Sequence, residues 1–146
     1  MPKLLSIGAA VMLAACAFAA PSVTDTPYTY AGVTRIDIRW NASTNTGGTA
    51  SCTAELKMYA GRIEHVVFDQ DAGQYYAPDV TLTDVSGVDV LQGAGENVTS
   101  NADKQVVVEI SSVLTNGVQV TFCDALTFTV TNASPSASGT VRLYLR

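Results

Sequence analysis

The C-terminal stretch LTFTVTNASPSASGTVRLYLR, residues 126–146, decides the predicted fold. Two runs in it place an apolar residue at every second position: Leu126, Phe128 and Val130, then Val141, Leu143 and Leu145. Between the runs lies a segment of Asn, Ala, Ser, Pro and Gly, which are residues typical of turns. Alternation with a period of two is typical of a strand with one buried and one wet face. The stretch therefore predicts an antiparallel β-hairpin.

Further alternating runs lie upstream of this hairpin, at residues 34–41, 51–59, 62–68, 80–82, 88–90, 105–110 and 118–123. Ala60 and Gly61 read as a turn between the second and third of these runs, and residues 85–87 as the turn of another hairpin. About eight short strands joined by turns predict an all-β fold, an antiparallel β-sandwich or jelly-roll-like domain over residues 34–146. An apolar segment, residues 1–20, and an extended polar arm, residues 21–33, precede this domain.

The composition agrees with a β-rich protein and sets limits on its partners. Hydrophobic residues make up 47% of the 146 residues, charged residues 14%, and the formal net charge is −5. This length is enough for one domain with a hydrophobic core. The eight Lys and Arg residues form no cluster along the sequence. Because phosphate contacts need clustered cations, the sequence argues against nucleic-acid binding.

The first twenty residues carry one Lys followed by an apolar, alanine-rich stretch, as in a bacterial export signal. The sequence Leu-Ala-Ala-Cys at 13–16 is typical of a lipoprotein signal, with Cys16 as the acylated residue. Ala-Phe-Ala at 17–19 also fits an ordinary cleavage site before Ala20. Retention of the segment as an apolar arm on a partner is the third alternative. Membrane attachment is expected only if Cys16 is lipidated.

The sequence predicts no enzyme activity, cofactor or metal site. His65 is the sole histidine, and no Gly-x-Ser-x-Gly nucleophile motif accompanies it. One His and separated Cys residues do not supply a zinc site. Asp69, Asp71 and Asp79 flank a loop, but the spacing lacks the closing glutamate of a calcium loop. We therefore interpret His65 as an ordinary strand residue and the aspartates as a solvated acidic loop.

Cys52 and Cys123 are the two cysteines of the predicted domain. In an exported protein they are candidates for one disulfide. The alternative is that both are buried or edge thiols that pack as small hydrophobic side chains.

Four tyrosines, Tyr28, Tyr30, Tyr75 and Tyr76, fall in predicted arms or loops. Exposed tyrosines often anchor protein interfaces, so these four are the candidate interface residues. The alternative is that they fold over the ends of the domain.

Three segments, DVTLTDVSGVDVL at 79–91, LTFTVTNA at 126–133 and GTVRLYLR at 139–146, resemble segments of small virion proteins of tailed bacteriophages. Residues 32–36 and 59–63 are similar to the first strands of that group, so the resemblance covers most of residues 28–146. It implies a non-enzymatic structural protein of the particle, at the head surface as a decoration or cement protein, or near the head–tail junction.

The resemblance implies that the partners are other virion proteins of the capsid or tail, with homo-oligomerisation, and that the location is the virion. The alternative hypothesis follows from the N-terminal segment. It is an exported β-sandwich lipoprotein or secreted binding module of the bacterial cell envelope.

Overall fold

A computed structural model describes residues 20–43, 49–71, 76–98, 106–108 and 121–146. These ranges contain seven β-strands and no helix, which confirms the all-β class. The strands are β1 (Ser22–Tyr30), β2 (Val33–Asn41), β3 (Ala50–Gln70), β4 (Asp79–Thr83), β5 (Val106–Val108), β6 (Thr121–Ala133) and β7 (Ser138–Leu145). All pairings are antiparallel, in the order β1-β2-β7-β3-β6-β4, and β5 pairs with β3.

Strand β3 is 21 residues long and changes partners along its length. Its first half pairs with β6, and its second half pairs with β7 and β5. The prediction of a turn at Ala60 and Gly61 is therefore wrong, because β3 continues through both residues. Gly61 has φ 146°, a conformation that favours glycine, and a Cβ there would lie 3.3 Å from the Arg146 carbonyl oxygen. Glycine lets β3 pass close to the end of β7 without turning.

Strands β6 and β7 do not form the predicted hairpin, because β3 lies between them. The six apolar residues of the two runs are nevertheless all buried, as the alternation predicted. Residues 134–137 connect the two strands, and Ala137 N–H donates to the Ser134 carbonyl 3.0 Å away. Alternation reports which face of a strand is buried, and it does not report which strand is its neighbour.

The second predicted hairpin is also wrong, since residues 88–90 are not a strand. One isolated bridge joins Thr83 to Asp89, and turns follow as far as residue 97. The Asp89 carboxylate accepts backbone N–H bonds from Leu82 and Leu91, both at 3.1 Å, and from Gly93 at 3.0 Å. Such side-chain to backbone bonds compete with a strand ladder, which explains the turns.

The predicted polar arm, residues 21–33, is instead part of the sheet. Strand β1 pairs with β2 along its whole length, from Ser22 opposite Asn41 to Tyr30 opposite Val33. β1 is an edge strand, which is where a strand tolerates a proline such as Pro27.

Replacing Ala31 by asparagine is expected to stabilise the β1–β2 turn. Ala31 has φ 49° and Gly32 has φ 80°, the two positive values that a two-residue hairpin turn requires. Alanine is strained in this region, whereas asparagine tolerates it. We expect the free energy of unfolding to rise by about 0.5 kcal/mol, measured by urea denaturation. An unchanged or lower value would contradict this account of the turn.

One hydrophobic core joins the strands. Its largest buried side chains are Trp40 of β2, Phe68 of β3 and Phe128 of β6, and Val80 and Leu82 of β4 belong to the same cluster. Because β2 and β4 lie far apart in the strand order and still share this core, the sheet curves around it.

Candidate functional site

The outer face of β2 and β7 is polar and aromatic, opposite to the core. On β2 the buried residues Ile36, Ile38 and Trp40 alternate with Arg35 and Asp37, which point outward. On β7 the outward positions include Arg142 and Tyr144. Register then decides which outward side chains become neighbours.

Four outward residues form a row across four strands. Tyr28 of β1 is opposite Arg35 of β2, Arg35 is opposite Tyr144 of β7, and Tyr144 is opposite His65 of β3. The Arg35 guanidinium carbon lies 4.6 Å from the centre of the Tyr28 ring, a cation–π contact. The His65 and Tyr144 rings meet edge to face with centroids 5.2 Å apart. The row is therefore held together by ring contacts.

The row leads into an open groove of about 590 Å³ beside the β1–β2 turn. We call it the Tyr–Arg groove, and it is lined by Tyr28, Tyr30, Ala31, Val33, Arg35, Tyr144 and Arg146. Tyr30 is 85% exposed and Tyr28 is 49% exposed. Large exposed rings beside guanidinium groups are typical of binding surfaces.

The fold also clusters the cations that are dispersed in the sequence. Arg35 and Arg39 of β2 and Arg142 of β7 lie on this outer face, together with Arg146 after β7. Arginines that are dispersed along the sequence therefore share one face of the folded chain. Two of them are paired: Arg35 with Asp37 and Arg142 with Asp69, each with N and O atoms 2.8 Å apart.

The structure brings Tyr28 and Tyr30 into one groove and leaves Tyr76 elsewhere. Tyr76 is half exposed near the start of β4, and its N–H donates to the Ser134 hydroxyl at 3.1 Å. Tyr75 and Cys16 lie outside the described residues. Sequence reasoning missed Arg35 and Tyr144, although their outward positions in the alternating runs were a signal for them.

The strand register places the backbones of Cys52 and Cys123, the two candidates for a disulfide, far apart. Cys52 is a free, buried thiol opposite Val130, whereas Cys123 is opposite Ala60. Eight residues of β3 separate these positions, about 25 Å at 3.3 Å per residue. Bridged cysteines have Cα atoms within about 7 Å. Burial raises the pKa of Cys52 to about 11, which agrees with the alternative of a buried structural thiol.

A second polar cluster fastens β1 to a bulge in β3. The register shifts between Glu55 and Met58, which gives β3 one residue more than β6. The Asp25 carboxylate accepts the Lys57 backbone N–H at 3.1 Å and the Tyr59 hydroxyl at 2.5 Å. The Lys57 ammonium also donates to the Asp25 carbonyl at 3.2 Å. The bulge thus supplies a backbone donor to the edge strand.

This cluster shifts two pKa values in opposite directions. Burial raises the pKa of Asp25, but the bonds from Tyr59 and Lys57 and the Lys57 charge outweigh it, so the pKa lies below the usual 3.8. For Tyr59, burial and then the bond to Asp25 and its charge hold the pKa well above the usual 10.0.

Replacing Asp25 by asparagine is expected to remove an acid-sensitive part of the stability. Because the Asp25 pKa is lower in the folded state, its contribution is present above pH 3.8 and is lost as pH falls through the folded value. The free energy of unfolding of the wild type should therefore be larger than that of the Asp25→Asn variant at neutral pH. The difference between the two free energies should narrow below pH 3.8. Urea denaturation across pH 2–7 measures both, and a gap independent of pH would contradict the assignment.

Among the described residues, no three metal-ligating side chains lie close enough together to hold an ion. Nor does this part of the chain contain a helix long and apolar enough to cross a membrane. In comparisons with known proteins, no family model, curated protein or solved structure matched the chain.

Proposed function

We propose that the protein is a non-enzymatic structural component of a tailed bacteriophage particle. It acts through protein–protein contacts as a decoration or cement protein of the head, or near the head–tail junction. The observation that carries the proposal is the Tyr–Arg groove with its exposed Tyr28 and Tyr30. Tyrosine and arginine are the residues that most often dominate the energy of protein interfaces.

Polar residues of the segments that resemble virion proteins, residues 79–91 and 126–133, form hydrogen bonds that stabilise the fold. The Asp79 carboxylate accepts the Asn97 N–H at 2.8 Å and the Asn132 side-chain N–H at 2.5 Å. Asp84 and Asp89 bind backbone N–H groups of the turns that follow β4. These residues therefore stabilise the fold, and in this proposal the exposed groove binds the partner.

The proposal includes a two-layer arrangement, a jelly-roll-like sandwich. One layer contains β1, β2, β7, β5 and the second half of β3. The other contains the first half of β3 with β6 and β4. Support comes from the change of partners along β3 and from the single core shared by β2 and β4.

Binding to particles tests the proposed function. Particles would be made with the gene disrupted, and purified full-length protein would be added back and co-sedimented with them. We expect the wild type to bind and a Tyr28→Ala/Tyr30→Ala double variant to bind at least about tenfold more weakly. Met58→Ala is the matched control, because Met58 is 71% exposed and lies outside the groove. Wild-type particles that contain none of the protein would refute the proposal.

The second candidate is an exported lipoprotein or secreted binding module of the cell envelope, favoured by the pattern Leu-Ala-Ala-Cys at 13–16. The mass of the mature N-terminus separates the candidates. An acylated Cys16 or a start at Ala20 supports the envelope candidate, and a start at Met1 or Pro2 supports the particle protein.

A further inference from the structure

A second exposed surface differs from the Tyr–Arg groove and complements it. The turn after β4, residues 84–88, presents Val85 at 74% exposure and Val88 at 58% exposure. We call these five residues the Asp–Val turn. Two apolar side chains at the tip of one short turn give it the size and polarity to enter an aromatic groove.

Its own hydrogen bonds hold the Asp–Val turn in shape. The Asp84 carboxylate accepts the N–H groups of Ser86 at 2.8 Å and Val88 at 3.0 Å. The Asp84 N–H donates to the Val88 carbonyl at 3.0 Å, and Gly87 N–H donates to the Asp84 carbonyl at 2.9 Å. Because the turn is ordered before binding, little conformational entropy is lost when it docks.

The charges of the two surfaces are opposite. Residues 76–98 carry four carboxylates, Asp79, Asp84, Asp89 and Glu96, and no Lys or Arg. The Tyr–Arg groove is lined by two arginines, Arg35 and Arg146, and by no carboxylate. A chain with a net charge of −5 therefore has a basic groove and an acidic segment, which attract each other.

In one copy the Asp–Val turn does not line the Tyr–Arg groove. β1 packs on β3 through Asp25 and Lys57, whereas β6 separates β3 from β4. Contact between groove and turn therefore requires two copies. We propose that the protein associates head to tail, with the Asp–Val turn of one copy in the Tyr–Arg groove of the next.

This interface joins two unlike surfaces, so a bound pair still has one free groove and one free turn. Such a heterologous contact builds rings when the rotation closes and filaments when it does not. The inference rests on the proposed function because it assigns an occupant to the same groove. The partner it assigns is a second copy of this chain.

Two blocking variants test the interface. Tyr30→Glu places a carboxylate in the groove, and Val85→Asn replaces an apolar side chain of the turn by a polar, uncharged one; both positions are exposed. Analytical ultracentrifugation of the wild type should show concentration-dependent oligomers that dissociate as salt rises. Each variant alone should be monomeric, with the dissociation constant raised at least about tenfold.

Mixing the two variants is the decisive measurement. Val85→Asn keeps an intact groove and Tyr30→Glu keeps an intact turn, so an equal mixture should form 1:1 dimers and nothing larger. Met58→Glu is the matched control and should assemble as the wild type does. A mixture that stays monomeric, or a control that loses assembly equally, would overturn the proposal.

The outcome also separates this inference from the proposed function. A wild type that is monomeric at low salt, and that still binds particles through Tyr28 and Tyr30, overturns the self-association alone. The groove would then hold another virion protein. If the wild type self-associates but no particle contains it, the virion role is overturned and the interface between copies is supported.

Discussion

Replacing Gly95 by alanine is expected to lower the free energy of unfolding by about 3 kcal/mol or more. A Cβ at Gly95 would lie 2.0 Å from the Val80 carbonyl oxygen and 2.9 Å from its carbonyl carbon. Both atoms belong to the backbone of β4, so a side-chain rotation cannot relieve the clash. The turn segment and β4 must separate instead.

Separation also breaks the hydrogen bonds between these two segments. Val80 N–H donates to the Gly95 carbonyl at 2.8 Å, and Val98 N–H donates to the Pro78 carbonyl at 2.9 Å. Each such bond contributes about 1 kcal/mol, and a buried group left unpaired costs more. The loss is large against the 5–15 kcal/mol that stabilises a typical domain.

Gly87→Ala is the matched control for Gly95→Ala. Gly87 also lies in a turn after β4, but no atom lies within 4 Å of a Cβ placed there. Its φ of 79° makes alanine cost only about 1 kcal/mol. Urea denaturation measures the free energy of unfolding of both variants, and we expect its dependence on urea concentration to stay unchanged. Equal losses of free energy in the two variants would show that crowding at Val80 is not the cause.

Replacing Trp40 by alanine is expected to lower the free energy of unfolding by about 3–5 kcal/mol. Trp40 is among the largest fully buried side chains, and it lies opposite Gly139 in the β2–β7 pairing. A Cβ at Gly139 would lie 3.0 Å from the indole nitrogen. The indole therefore fills space that glycine leaves open, and alanine would leave a cavity there.

Trp40→Phe separates packing from simple hydrophobicity at this site. Phenylalanine keeps most of the apolar area, so it should lose less than half as much stability as alanine does. Circular dichroism must follow unfolding, because Trp40 is the sole tryptophan and its replacement removes the fluorescence signal. A loss below about 1 kcal/mol for Trp40→Ala would place the indole outside the tightly packed core.

Two strand predictions failed for one physical reason. Residues 51–59 and 62–68 were predicted as two strands because Ala60-Gly61 resembles a turn, yet β3 passes through both. Residues 21–33 were predicted as an arm because they contain proline, yet β1 tolerates Pro27 at the sheet edge. Local turn chemistry acts only where neighbouring strands do not supply other partners for the backbone.

The candidate site shows the same division. Tyr28 and Tyr30 could be selected from the sequence because they fall in a predicted arm and exposed tyrosines often anchor protein interfaces. Arg35 and Tyr144 could not be joined to them, because these residues become neighbours only when β7 pairs with β2. The exposure of Val85 and Val88 likewise depends on the turn that Asp84 stabilises.

The sequence by itself determined the all-β class and the buried face of the C-terminal strands. These are local properties, since a period of two in side-chain polarity follows from the geometry of a single strand. Only the tertiary structure decided that β3 lies between β6 and β7 and that four arginines share one face. Neighbours in a sheet are chosen by long-range packing around Trp40, Phe68 and Phe128, and no local pattern encodes that choice.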